Sequence, residues 1–206
     1  MRILAVADGR SQRLYEHYNP ERFGRVDLLL GCGDLAADYM SYLMGIFCVP
    51  MLYVKGNHDV SFETDPPMGG EDIDGRIVEY KGIRILGLEG SMRYNREPLQ
   101  YSQRQMNYKI WKLGFKLKRK GVDVVIAHSP PFGCNDAKDV CHTGFRAYGS
   151  LIERFRPRYF LHGHVHMNYG RKTERVAKLY DTYVINCSEF YLLDYEKGPD
   201  AKSRLV

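Results

Sequence analysis

Five short apolar runs, rich in β-branched residues and each halted by Gly, Asp, Asn or His, set the rhythm of the chain. Residues 3–7 stop at Asp8, residues 26–30 run into "GCGD", and residues 51–54 run into "KGNHD". Residues 122–127 stop at His128, and residues 159–161 run into "HGHVH". Apart from Asp27 and Asp123, each the second residue of its run, the runs are apolar without polar alternation, which predicts strands buried on both faces between helical layers. Helical spacing fills the intervals: residues 35–47, residues 102–120 from the cap Ser102 to Gly121, and residues 145–155 before Pro157. Asn19-Pro20 predicts a one-turn helix. "IVEYKGIRILGLEG" predicts a hairpin about Lys81-Gly82, and "TYVINCSEFYLLDY" is β-rich. The first half alternates strand and helix and the second is more mixed, so the expected class is α/β and layered.

Length and composition narrow this little. With 206 residues the chain is expected to form a single domain, 1–206. A formal net charge of +5 suits an anionic substrate but does not by itself argue for nucleic acid. The 5 cysteines are odd in number and form no CxxC pair, which predicts a reduced, cytoplasmic protein. Asn186-Cys187-Ser188 matches a glycosylation sequon without a secretory leader to give it meaning. Apolar runs fall well short of the ~18 residues a membrane span requires, so no membrane partner is expected.

Chemistry gathers where the runs stop. Ligands of α/β sheets bind beyond the carboxyl ends of strands, and those ends carry Asp8, Asp34, Asn57, His58, His128, His164 and His166. Oxygen and imidazole donors without thiolate suit Mn²⁺, Fe or Zn²⁺. Two such ions ~3.5–4 Å apart clamp the attacking and leaving oxygens of a phosphoryl transfer.

"GCGD", "GNHD", "AHSPP" and "GHVH", in that order, resemble the calcineurin-like metallophosphoesterase superfamily. "GHVHMNYG" followed by "YVINCS" is similar to its small cyclic-nucleotide-phosphodiesterase-like branch. The resemblance implies a layered sandwich of two mixed β-sheets flanked by helices. It implies a first divalent ion on Asp8, Asp34 and His166, and a second on Asp34, Asn57, His128 and His164. His58 would sit outside both shells, bind a phosphate oxygen and pass a proton to the leaving group. The implied function is hydrolysis of a phosphoester, mono- or diester, by a hydroxide formed between the metals, with Mn²⁺ expected first and Fe or Zn²⁺ open. His164 and His166, at i and i+2, would reach neighbouring ions from one side of extended backbone. Gly31, Gly33, Gly56 and Gly163 would let backbone pass close to the cluster.

Arg10 departs from the pattern. The family carries Asp-x-His here, whereas this chain reads Asp8-Gly9-Arg10. A guanidinium has no lone pair to offer a metal. Three protein ligands would remain at the first site, and Arg10 would engage the substrate phosphate or pair with an acid.

Other residues carry blander expectations. Asp8 and Asp34, taken alone, could cap helices. Asn57-His58 could form a turn. Asp38 is expected on a solvated helix surface, although it could orient His58. His162 and Cys32 are expected as buried side chains, and His142 and Asp139 belong to a polar loop that could meet substrate. Arg93, Tyr94 and Arg96 belong to another such loop. Segment 102–120 carries 7 basic residues and no acid; a solvated helix with "MNYKIWKLGF" as its core side is favoured over a nucleic-acid face. Two other functions remain open, a binding module that has lost catalysis and a nuclease.

Overall fold

The computed structural model describes residues 1–166 and 174–196. Its strands are β1 (Arg2–Val6), β2 (Leu28–Cys32), β3 (Met51–Val54), β4 (Glu71–Asp72), β5 (Ile77–Tyr80), β6 (Ile83–Leu88) and β7 (Ser91–Met92). β8 (Gln100–Tyr101), β9 (Val124–Ala127), β10 (Tyr159–His162), β11 (Val176–Leu179), β12 (Thr182–Asn186) and β13 (Tyr191–Asp194) follow. The helices are α1 (Gln12–Tyr15), α2 (Pro20–Phe23), α3 (Ala37–Phe47), α4 (Gln103–Lys120) and α5 (Arg146–Phe155), with one 3-10 turn over Asp59–Glu63.

Two large mixed sheets face each other between helical layers. The first has order β13-β1-β2-β3-β4, parallel except for β13 at its edge. The second has order β11-β12-β10-β9-β6-β5, with antiparallel edges at β11 and β5. Side-chain alternation explains why the runs are apolar throughout. Ile3 and Ala5 of β1 point between the sheets, with Leu28, Leu30, Ile85, Val124, Ile126 and Leu161. Leu4 and Val6 point the other way, onto Leu14, Phe23, Tyr39 and Leu43 of the first helical layer. On the far side, Leu86, Val125 and Phe160 meet Leu113, Leu117, Tyr148 and Ile152 of α4 and α5. Each such aliphatic side chain contributes about 1.5–3 kcal/mol by leaving water.

Local signals set the boundaries. Ser102 accepts the Gln105 N–H at 3.2 Å while the Gln105 side chain accepts the Ser102 N–H at 2.9 Å. This reciprocal cap is worth about 1 kcal/mol. α4 stops at Gly121, whose φ of +71° ends the helical path. The Asn19 side chain caps α2. Lys81 and Gly82 both take positive φ, +48° and +82°, which matches a two-residue turn to the twist of β5 and β6.

Two features depart from expectation. β12 and β13, contiguous in one β-rich stretch, join different sheets, with β13 closing on β1. In α4 the side facing the core is Met106, Leu113 and Leu117, whereas Tyr108, Trp111 and Phe115 face outward.

Candidate metal centre

All five apolar strands deliver their carboxyl ends to one place. Asp8 follows β1, Asp34 follows β2, Asn57 follows β3, His128 follows β9 and His164 follows β10. Ligand atoms of Asp34, His128 and His164 lie within 4.8 Å of one another. His128 Nε2 lies 3.2 Å from Asp34 Oδ2 and 3.1 Å from Asn57 Oδ1. Asp8 joins through backbone: its Oδ1 accepts the His164 N–H at 2.7 Å and its own N–H donates to Gly33 O at 3.2 Å.

The backbone at these positions is unusual. Asp8, Asp34 and His164 have φ of +60°, +54° and +68°, in the left-handed region that costs a non-glycine residue about 1 kcal/mol or more. His164 is therefore not in extended backbone, and the i, i+2 argument for His164 and His166 does not hold. His164 is buried, whereas His166 is exposed and lines the cavity mouth. Neither aspartate caps a helix, since Ser11 and Ala36 occupy those positions. Gly56 passes so close that a Cβ there would lie 2.5 Å from Asp34 N.

Hydrogen bonds behind the ligands fix their direction. His128 donates Nδ1–H to Cys32 O at 3.0 Å, which turns Nε2 toward Asp34 and Asn57. His164 places Nε2 2.7 Å from Cys141 O, so its Nδ1 carries the lone pair. The Asn57 amide donates to Tyr94 Oη at 3.2 Å. Asp59 staples the centre: it accepts the N–H groups of Asp34 at 2.7 Å, Leu35 at 3.1 Å and Gly56 at 2.8 Å. Sequence reasoning missed Asp59, although the signal was the last letter of "GNHD".

Electrostatics favours a cation. Burial works to raise Asp34, but His128 overrides it and holds that carboxyl well below the usual range. Burial alone would depress His128, yet the Asp34 charge and hydrogen bond lift it to about 9. Burial pushes Asp8 up and brings Asp59 up to about 6 against the Gly56 N–H bond. It takes His164 down to about 3, leaving that imidazole neutral. Asp8 Oδ2 is buried without a hydrogen-bond partner. A buried, unpartnered carboxylate oxygen beside a neutral imidazole and an ionised carboxylate fits a divalent ion.

The remaining predicted residues are placed as follows. His58 is exposed, its backbone N–H donates to Asp34 Oδ1 at 2.9 Å, and the residue lines a cavity of about 550 Å³ with Asp8, Asp34 and His166. Arg10 pairs with Asp38 at 2.5 Å and its guanidinium lies over the Tyr15 ring, 5.0 Å from the centroid. His162 is buried in β10, with Nδ1 2.8 Å from Gly163 O, and Cys32 is a buried thiol. His142 pairs with Asp139 at 2.7 Å and sets its ring 5.1 Å from that of His164. Residues 167–170 of "GHVHMNYG" lie outside the described residues.

The sequence pattern described as "Calcineurin-like phosphoesterase" matches residues 1–168. The chain belongs to this family. Human lariat debranching enzyme is 23% identical over 75% of this chain and 39% of its own length. The UPF0046 protein T07D4.2 of Caenorhabditis elegans is 28% identical over 56% of this chain and 27% of its own. This chain thus spans well under half of these curated relatives. The crystal structure of TT1561 from Thermus thermophilus matches at TM-score 0.65 and 17% identity, over 95% of each chain. That likeness establishes the phosphoesterase fold, two mixed sheets flanked by helices. No helix among the described residues is long and apolar enough to cross a membrane.

Proposed function

We propose that this phosphoesterase-family chain hydrolyses phosphoesters with the help of divalent metal. The observation that carries the reading is the convergence of Asp34, His128 and His164 within 4.8 Å, beside the unpartnered Asp8 Oδ2. Asp8, Asp34 and His166 would hold one ion; Asp34, Asn57, His128 and His164 would hold a second, with Mn²⁺ first in order of trial and Fe or Zn²⁺ next. Ions held there would supply Lewis-acid polarisation of a phosphoryl oxygen and lower the pKa of water toward neutrality. The chain's own residues orient and protonate. His128 and His164 are aimed by the Cys32 and Cys141 carbonyls, and Asn57 is aimed by Tyr94. His58, which lines the cavity beside Asp34, would bind a phosphate oxygen and give a proton to the departing alcohol. Arg10 is held by Asp38 at the rim, where release of that pair would free its fork of donors for a phosphate.

The test compares hydrolysis of an aryl phosphodiester and an aryl phosphomonoester, with Mn²⁺, by the native chain, His58→Ala and Asn57→Ala. His58→Ala should lower kcat about 10²–10⁴-fold while bound metal is retained. Asn57→Ala should lower metal content. A folded, metal-loaded native chain inert with Mn²⁺, Fe²⁺ and Zn²⁺ would favour the non-catalytic binding module instead.

A further inference from the structure

The outer face of α4 is aromatic and basic together. Tyr108, Trp111 and Phe115 recur at i, i+3 and i+7, one side of the helix, and are 55%, 74% and 77% exposed. Tyr108 and Trp111 lie nearly parallel, with centroids 5.8 Å apart and planes at 16°, and the Lys112 ammonium stands 4.6 Å from the Tyr108 centroid. Between α4 and α5 runs a groove of about 620 Å³, walled by Trp111, Phe115, Lys118 and Arg154. α4 contains no acid. Among the described residues, no carboxylate pairs with Lys112, Lys118 or Arg154, whereas Lys109 is turned inward onto Asp74 at 2.6 Å.

We propose that this face and groove bind single-stranded nucleic acid, with bases stacked on Tyr108, Trp111 and Phe115 and phosphates paired with Lys112, Lys118 and Arg154. The charge calls for an anionic occupant, so a second copy of the same basic helix would be repelled. Cations stand among the rings rather than around them. That mixture matches a strand, which alternates phosphate and base, and opposes an acyl layer, which would keep charge at the border. A groove also offers its floor to a flexible chain but not to a flat bilayer. With Trp111 and Phe115 about three-quarters exposed, ring surface remains open for a base to stack on.

The face lies away from the metal centre. α4 begins at Ser102 beside the site-end loops and ends at Gly121, packed against Arg84 at the start of β6, the opposite end of the sheet. Binding there is therefore separable from hydrolysis.

Trp111 is the chain's single tryptophan, so its fluorescence reports this face directly. The full chain, in EDTA and low salt, is titrated with oligo(dT) of roughly 12 nucleotides, inside the ~4–16-nucleotide footprint of single-strand sites. Saturable quenching is expected, with log affinity falling against log salt at a slope of about −2 for three phosphates. Lys118→Glu with Arg154→Glu should weaken binding at least about tenfold and flatten that slope. Trp111→Ala, followed by anisotropy of end-labelled oligo(dT), should weaken it about tenfold and leave aryl phosphodiester hydrolysis unchanged. Absence of quenching by oligo(dT) overturns the proposal. So does a blue shift with phosphatidylglycerol vesicles but no response to oligo(dT), which would make the face lipid-binding. Equal competition by polyglutamate would reduce it to charge alone and remove the stacking, and unchanged affinity in the variants would place the oligonucleotide elsewhere.

Discussion

Replacing Asp59 with Ala separates a structural staple from the ligands it supports. Its carboxylate is buried and accepts three backbone N–H groups, at 2.7, 3.1 and 2.8 Å, from the loops that follow β2 and β3. Hydrogen bonds to a charged acceptor are worth about 1.5–3 kcal/mol each, and a buried donor left bare costs about 1–3 kcal/mol. Water entering the space would satisfy part of this, so a net loss of about 3–5 kcal/mol is expected. With a urea slope of about 2 kcal/mol/M, the unfolding midpoint should fall by roughly 2 M. The assay is urea denaturation in EDTA near pH 8, above the Asp59 value of about 6, so that the carboxylate is ionised in the native chain. Asp59→Asn keeps one carbonyl acceptor but points an NH₂ at the converging donors, and should recover less than half of the loss. Because Asp34 and the Gly56-Asn57 turn would both drift, Mn²⁺ affinity by calorimetry should fall about 10–100-fold in the Ala variant. A midpoint drop below roughly 0.5 M, or unchanged Mn²⁺ affinity, would refute the assignment of Asp59 as the organiser of the centre.

Gly56→Ala would set a methyl group 2.5 Å from Asp34 N and 2.6 Å from Asp34 Cγ, and should abolish stoichiometric Mn²⁺ binding, read by elemental analysis after dialysis. Retained binding would mean the loop shifts freely. Arg10→His would set an imidazole beside the proposed first-ion site and release Asp38; metal retained through dialysis should rise, and no rise would show that Arg10 does not weaken that site. Arg84 forks onto Asp123 with bonds of 2.7 and 2.6 Å, and this hydrogen bonding holds the Asp123 carboxyl below its ordinary 3.8. A depressed acid stabilises above its unfolded value and loses that contribution as pH falls through the folded one. Arg84→Ala should therefore cost about 1 kcal/mol at neutral pH, a difference that closes below the ordinary carboxylate range and is checked by urea melts across acid pH.

Much of this arrangement was legible because strand burial writes itself as uninterrupted apolar letters. The span of β3 matches the expected residues 51–54, and the Ser102 and Gly121 caps bound α4 as read. Convergence of Asp8, Asp34, Asn57, His128 and His164 followed from one rule about strand ends. What stayed hidden depended on distant pairing or on backbone detail. Nothing local tells β13 to leave β12 and pair with β1, since its partner Leu4 lies far away in sequence. The left-handed turn at His164 is set by the Asp8 carboxylate accepting its N–H, a contact across the whole chain. α4 misled because two of its faces carry apolar or aromatic letters at helical spacing. Met106, Leu113 and Leu117 satisfy the core, and Tyr108, Trp111 and Phe115 fit the same period one face away.

The pairing of β13 with β1 also has a cost in time. Ala5 must wait for Tyr191, 186 residues later, before the outer edge of its strand is covered. At ~5–20 residues per second of ribosomal synthesis, that edge stays open for roughly ten to forty seconds. Through that interval the strand bearing Asp8 offers bare amides and aliphatic side chains to any neighbouring nascent chain, the configuration most prone to intermolecular β-pairing. Expression should accordingly be sensitive to holdase chaperones, and to any truncation that removes residues 191–194.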